Sequence, residues 1–138
     1  MPHSNPSDQE LKELLTNATT IAIVGASSNP DKASYGIMQK LQKAGYKVIP
    51  VNPRETEILG ERSYPSLIDV PERIDIVDVF RRSEHVGAIV DESLAVHPKL
   101  IWLQLGVVDA AAAQRAAAAG IALIQDLCIA IEHKSLAV

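Results

Sequence analysis

Residues 20–51 read TIAIVGASSNPDKASYGIMQKLQKAGYKVIPV, and this stretch decides the fold class. Its opening, Thr20-Ile-Ala-Ile-Val24, is a continuous apolar run, rich in β-branched side chains and closed by Gly25. So short and apolar a run predicts a strand buried on both faces. From Ser34 to Ala44 the period changes: Ile37, Met38 and Leu41 share one helical face, and Gly45 stands where a C-terminal glycine cap belongs. Lys47-Val-Ile-Pro-Val51 returns to the strand pattern. Strand, helix and strand in succession form a βαβ unit, the building block of parallel sheets.

The same alternation continues outward. Strand-like runs recur at Ile74–Phe80, Leu100–Leu105 and Ile121–Gln125. Ser7–Asn17 places Leu11, Leu14 and Leu15 on one helical face, with Ser7 or Asp8 as N-cap. Ser83–His97 is a helix stopped by Pro98, and the alanine-rich Asp109–Ala119 is capped by Asp109 and ended by Gly120. Asn52–Arg73, with Pro53, Pro65 and Pro71, is the one long irregular stretch, with a short helical turn at Ser66–Asp69. A short tail follows the fifth strand. The expected fold is α/β: a Rossmann-like, doubly wound, five-stranded parallel sheet with helices on both faces. Right-handed crossovers with one reversal predict strand order 3-2-1-4-5. One domain is expected over residues 1–138, with 1–6 a flexible tail, and no internal repeat is found.

Composition narrows the function classes. The 138 residues are 47% hydrophobic and 22% charged, a balance that argues against disorder. A formal net charge of −4 argues against generic binding to nucleic acid or anionic membranes. Cys128 is the single cysteine, so no internal disulfide forms, which fits a reducing compartment. Met1–Lys12 is polar, without a signal-peptide core, and no apolar run reaches the ~18 residues that span a bilayer. A cytoplasmic protein is expected.

In open parallel sheets ligands bind beyond the carboxyl ends of the strands. The first strand ends in Gly25-Ala-Ser-Ser-Asn-Pro-Asp-Lys32. Gly25 allows a sharp turn and close approach of a phosphate, Ala26, Ser27 and Ser28 are small, and Ser34 and Tyr35 open a helix whose N–H groups suit an anion. A GxGxxG fingerprint is absent, since Ser27 replaces its middle glycine; the loop alone fits a phosphate cradle or a plain βα turn. The second strand ends in Asn52-Pro53-Arg54. The acidic residue that would hold an NAD ribose is missing, and Arg54 can pair with a phosphorylated ribose, which favours CoA or NADP.

The run IAIVGASSNPDKASYGIMQKLQKAGYKVIPVNP, then GERSYPSL, VDVFRRSE, IWLQLGV and QDLCIAIEH, resembles the small stand-alone CoA-binding proteins of Rossmann type. The resemblance spans about Ile21–His133, and the same module forms the N-terminal domain of the succinyl-CoA ligase α subunit and of ADP-forming acyl-CoA ligases. It implies coenzyme A or an acyl-CoA as ligand. By position it places Gly25–Ser28, Asn29, Lys32 and Ser34–Tyr35 at the CoA phosphates, with Asn52, Pro53 and Arg54 near the nucleotide. It sets Phe80 and Arg81 on the adenine side or at the phosphates, and Gln104 and Gly106 on the opposite wall. One departure is Leu127, in Asp126-Leu127-Cys128, where family members usually carry arginine.

Catalytic residues are not identified. His3, His85, His97 and His133 are scattered without metal-ligand spacing, Asp75 and Asp78 fall on opposite faces of a strand, and no GxSxG elbow surrounds Ser27. Trp102 reads as core. Binding of CoA without chemistry of its own is therefore the favoured reading, and a protein partner or second copy stays open. The alternatives are an NADP-dependent oxidoreductase and a non-catalytic interaction subunit of a larger enzyme.

Overall fold

The structure, a computed structural model, describes residues 4–138. Helix α1 (Asp8–Asn17) is followed by β1 (Thr20–Val24), α2 (Ala33–Lys43) and β2 (Lys47–Val51). A small hairpin, β3 (Glu57–Ile58) and β4 (Glu61–Arg62), and a 3₁₀ turn at Leu67–Asp69 lead to β5 (Ile76–Val79). Then come α3 (Ser83–Ala95), β6 (Leu100–Leu103), α4 (Ala110–Ala118), β7 (Ala122–Ile124) and α5 (Ile129–Ser135). Two helix starts follow the expected chemistry: the Ser7 hydroxyl accepts from Glu10 N at 3.2 Å, and the Asp109 carboxylate accepts from Ala112 N at 2.9 Å.

The five-stranded parallel sheet runs β2-β1-β5-β6-β7. Counting only its strands in chain order, this is 2-1-3-4-5, which corrects the expected 3-2-1-4-5. Pro50 supplies a physical reason. Lys47 N bonds to Thr19 O and Val51 O receives Gly25 N, so alternate residues of β2 face β1 and Pro50 faces outward. Lacking an N–H, Pro50 would interrupt a second ladder there, so β2 belongs at an edge. The outer side carries one isolated bridge, Val51 with Tyr64. β5, buried at every residue, takes the centre.

Two further readings are corrected. The stretch 52–73 contains the β3–β4 hairpin, turned at Leu59 and Gly60, both at positive φ. The supposed C-terminal tail forms α5, anchored by fully buried Ile129. Of the expected flexible segment 1–6, residues 1–3 and therefore His3 lie outside the described residues. Asn5 is tied to the end of β7, accepting from Gln125 N at 3.0 Å and donating to Gln125 O at 3.3 Å.

Alternation along the strands produces a core on each face. On one side Ala22, Val77, Val79, Ile101 and Leu103 pack with α3 residues Val86 and Val90 and with Ala112, Ala113 and Ala116 of α4. Alanine suits α4 because it lets that helix lie close to the sheet. On the other side Ile21, Ile23, Ile76, Leu100 and Trp102 meet Leu15 of α1, Met38 and Leu41 of α2 and Ile129 of α5. Each fully buried Leu or Ile contributes about 1.5–3 kcal/mol relative to exposure. These two layers cover both faces of the sheet, and the site loops follow its carboxyl strand ends. Among the described residues no helix is long and apolar enough to cross a membrane.

Candidate functional site

The switch in direction lies between β1 and β5, whose connections leave to opposite sides of β1, and the loops at that point frame two clefts. At the end of β1 the backbone is held from both sides: Gly25 N donates to Val51 O at 3.0 Å, and Phe80 N donates to Val24 O at 2.9 Å. Gly25 has φ +86, and a Cβ there would lie 2.6 Å from the Phe80 carbonyl oxygen and 2.9 Å from Arg81 Cδ. The space left by the missing side chain is thus filled by the chain itself. Independently of any ligand, the positive φ and the Phe80 carbonyl just past β5 demand glycine here.

Beyond Gly25 the first loop is shaped by its own side chains. Ser27 Oγ accepts from Asn29 N at 3.0 Å, Asn29 Oδ1 accepts from Asp31 N at 2.9 Å, and Ser28 donates to the Glu55 carboxylate at 3.0 Å. Asn52 locks this loop to the next: its Nδ2 donates to Ala26 O at 2.7 Å while its Oδ1 accepts from Arg54 N at 2.9 Å. With both amide ends engaged, Asn52 holds the two loops together. Sequence reasoning located the residue and missed that role.

The first cleft, about 280 Å³, is lined by Gly25, Ala26, Ser27, Lys32, Ser34, Asn52 and Phe80 among others. It opens at the N-terminus of α2, an 11-residue helix whose N-cap, Lys32, makes no side-chain cap. An uncapped helix start offers N–H donors and positive potential together. Exposed Lys32 adds a full charge.

The second cleft, about 360 Å³, lies on the α3 side of the same edge. Its walls include Val24, Val51, Pro53, Pro65, Leu67 and Ile89; its rim carries Arg81, Glu84, His85 and Glu92. Glu92 is engaged, accepting from the backbone N–H of Leu67. Sequence analysis expected none of the α3 residues at the site, although Glu84, His85, Ala88, Ile89 and Glu92 share one helical face directly after β5. A larger cleft of about 450 Å³ lies away from this edge, between residues 4–7 and α4, with Glu10 the one ionisable group among the described residues that line it.

Four other candidates, Arg54, Tyr35, Gln104 and Gly106, line neither cleft. Arg54 is exposed, and its guanidinium makes no ion pair among the described residues. Tyr35 packs against the α2-side core. Buried Gln104 accepts from Ile129 N at 3.2 Å and so caps α5, while Gly106 N donates to the Asp126 carboxylate at 2.7 Å. Leu127, standing where arginine was expected, gives its carbonyl to Trp102 Nε1 at 2.8 Å. Asp75 accepts from Thr19 N and Thr20 N at 2.8 and 3.1 Å, fixing the start of β1. Among the described residues no group of three or more His, Cys, Asp or Glu side chains could hold a metal ion.

Comparison with known proteins places this geometry in a family. The chain is 42% identical over 129 residues to the uncharacterized protein YneT of Bacillus subtilis, covering 94% of this chain and 96% of that one. It is 34% identical over 85 residues to an ADP-forming acetate–CoA ligase of Methanocaldococcus jannaschii, covering 62% of this chain and only 12% of the ligase. Its fold matches that of a hypothetical protein from Pyrococcus horikoshii OT3 with a TM-score of 0.93, at 32% identity and over 100% of both chains. The model of the CoA binding domain matches residues 19–134, a span that contains the whole sheet and both clefts at its switch point, and the chain belongs to that family.

Proposed function

We propose that this protein binds coenzyme A or an acyl-CoA across the two clefts, without a reaction of its own. The observation that carries the reading is the uncapped start of α2, opening beside Gly25–Ser28 in the span matched by the CoA-binding family. There the helix N–H groups, Lys32 and the Ser27 and Ser34 hydroxyls face the ligand's diphosphate. The apolar slot between Pro53, Pro65, Leu67 and Ile89 takes the flat base, and exposed Arg54, next in sequence to Pro53, reaches the ribose 3′-phosphate from outside the slot. The name of the acetate–CoA ligase supports a CoA ligand, though this chain spans a small part of that enzyme. We place the protein in the cytoplasm, where CoA and a free Cys128 thiol are both at home.

Calorimetric titration with CoA, 3′-dephospho-CoA, NAD and NADP tests the assignment. CoA should bind, the dephospho form more weakly, and neither nicotinamide dinucleotide measurably. NADP binding as tightly as CoA would overturn it.

A further inference from the structure

Asp78 sits at mid-sheet with 0% exposure, and neither carboxylate oxygen has a hydrogen-bond partner among the described residues. Its neighbours in register are Ile23 on β1 and Trp102 on β6. Alternation along β5 turns Ile76, Asp78 and Phe80 toward the α2 face, and Phe80 lines the 280 Å³ cleft at the start of α2. Two residues of strand, ~6.6 Å, separate the buried carboxyl from that cleft residue.

The groups packed on this face leave the carboxyl without a countercharge. α2 turns Ser34, Met38 and Leu41 inward, α1 contributes Leu11 and Leu15, and α5 contributes Ile129. The ionisable groups at the margins are Lys32, Tyr35 and Tyr46 in and beside α2, Cys128 and His133 at α5, and Arg81 after β5. None contributes to the shift at Asp78, whose pKa is pushed well above the usual carboxylate range by desolvation alone. The acid form is favoured in such a place because an isolated buried charge is costly.

We infer that phosphate-ligand binding at the first cleft is linked to protonation of Asp78: the cleft holds its anion over the neutral acid and loses affinity when that carboxyl ionises. This rests on the CoA reading above. Two unit charges ~10 Å apart at an effective dielectric of about 20 repel enough to change an equilibrium constant on the order of tenfold. Linkage fixes the sign. The bound anion raises the pKa of Asp78, so affinity is greatest below the free-protein pKa, falls as pH rises through it, and levels off above the bound-state pKa.

CoA binding is measured by calorimetry on the full chain and on Asp78→Asn across the pH range over which both stay folded. Ionisation of the ligand's own phosphates affects both proteins alike, so the affinity ratio isolates Asp78. The wild-type protein should lose on the order of tenfold relative to the variant as pH rises. Carbon-13 titration of the Asp78 carboxyl in the wild-type chain is independent of the variant's folding; its midpoint should move upward when CoA is added. A flat ratio, or a midpoint unmoved by bound CoA, overturns the linkage and leaves the CoA assignment standing. Absence of CoA binding even at the acid end removes the CoA assignment, and the linkage with it.

Discussion

Replacing Gly25 by alanine separates a folding requirement from a ligand requirement. The new Cβ would meet the Phe80 carbonyl oxygen at 2.6 Å, and backbone held by the β1–β5 ladder cannot swing aside as a side-chain tip would. Left-handed backbone alone costs an alanine roughly 1–2 kcal/mol, and overpacking adds about 1–3. The expected loss is therefore about 3 kcal/mol. Gly120→Ala is the control: its φ is +74, with nothing within 4 Å of the new Cβ, so it carries the backbone cost alone, about 1 kcal/mol. Urea unfolding followed by far-ultraviolet circular dichroism measures both. At this chain length the larger loss corresponds to roughly 10 °C in Tm. If Gly25→Ala is no worse than Gly120→Ala at an unchanged m-value, the steric reasoning at the β1 turn is wrong.

Three other expectations are accessible to direct measurement. Arg54→Ala should weaken CoA by about 1.5 kcal/mol, the low end for a charge-assisted bond because the guanidinium is exposed, and leave 3′-dephospho-CoA nearly unaffected; calorimetry with the pair decides. Cys128, 9% exposed, should react slowly with a thiol-titrating disulfide until urea unfolds the chain, and rapid stoichiometric labelling of native protein would contradict its burial. Asp78 has a raised folded-state pKa, so the native chain holds its proton longer than the unfolded one. Stability should then fall, relative to Asp78→Asn, as pH climbs from ~4 through that folded pKa, and level off above it; urea midpoints across the range test the sign.

The elements were legible wherever a single period dominates. Thr20–Val24 and Lys47–Val51 are strands as read, and the Ser7 and Asp109 caps are where side-chain chemistry puts them. Strand order was also written in the sequence, at Pro50, but it emerges only once the side on which that residue lacks a donor is known. β3 and β4, at two residues each, are too short for alternation to appear, and α5 is too short to establish a helical face. Among the candidate site residues, the first loop and Asn52 were chosen by position alone. What they do depends on partners distant in sequence: Phe80 behind Gly25, Ala26 beneath Asn52, and Ile129 over Gln104. Asp78 could be placed on a strand but not known to be solitary, since the lack of a partner is a property of the folded surroundings.

Trp102 gives this architecture an optical consequence. It is the one tryptophan among 138 residues, and its indole is fully buried beside Asp78, with the ring nitrogen bonded to the Leu127 carbonyl just past β7. Emission from a shielded indole depends on that hydrogen bond and on charge appearing next to the ring. A shift of the 126–128 loop, or ionisation of the adjacent carboxyl, would therefore change colour or intensity at a single chromophore. The protein carries its own unlabelled fluorescent gauge, seated under the sheet edge where its ligand is expected to arrive.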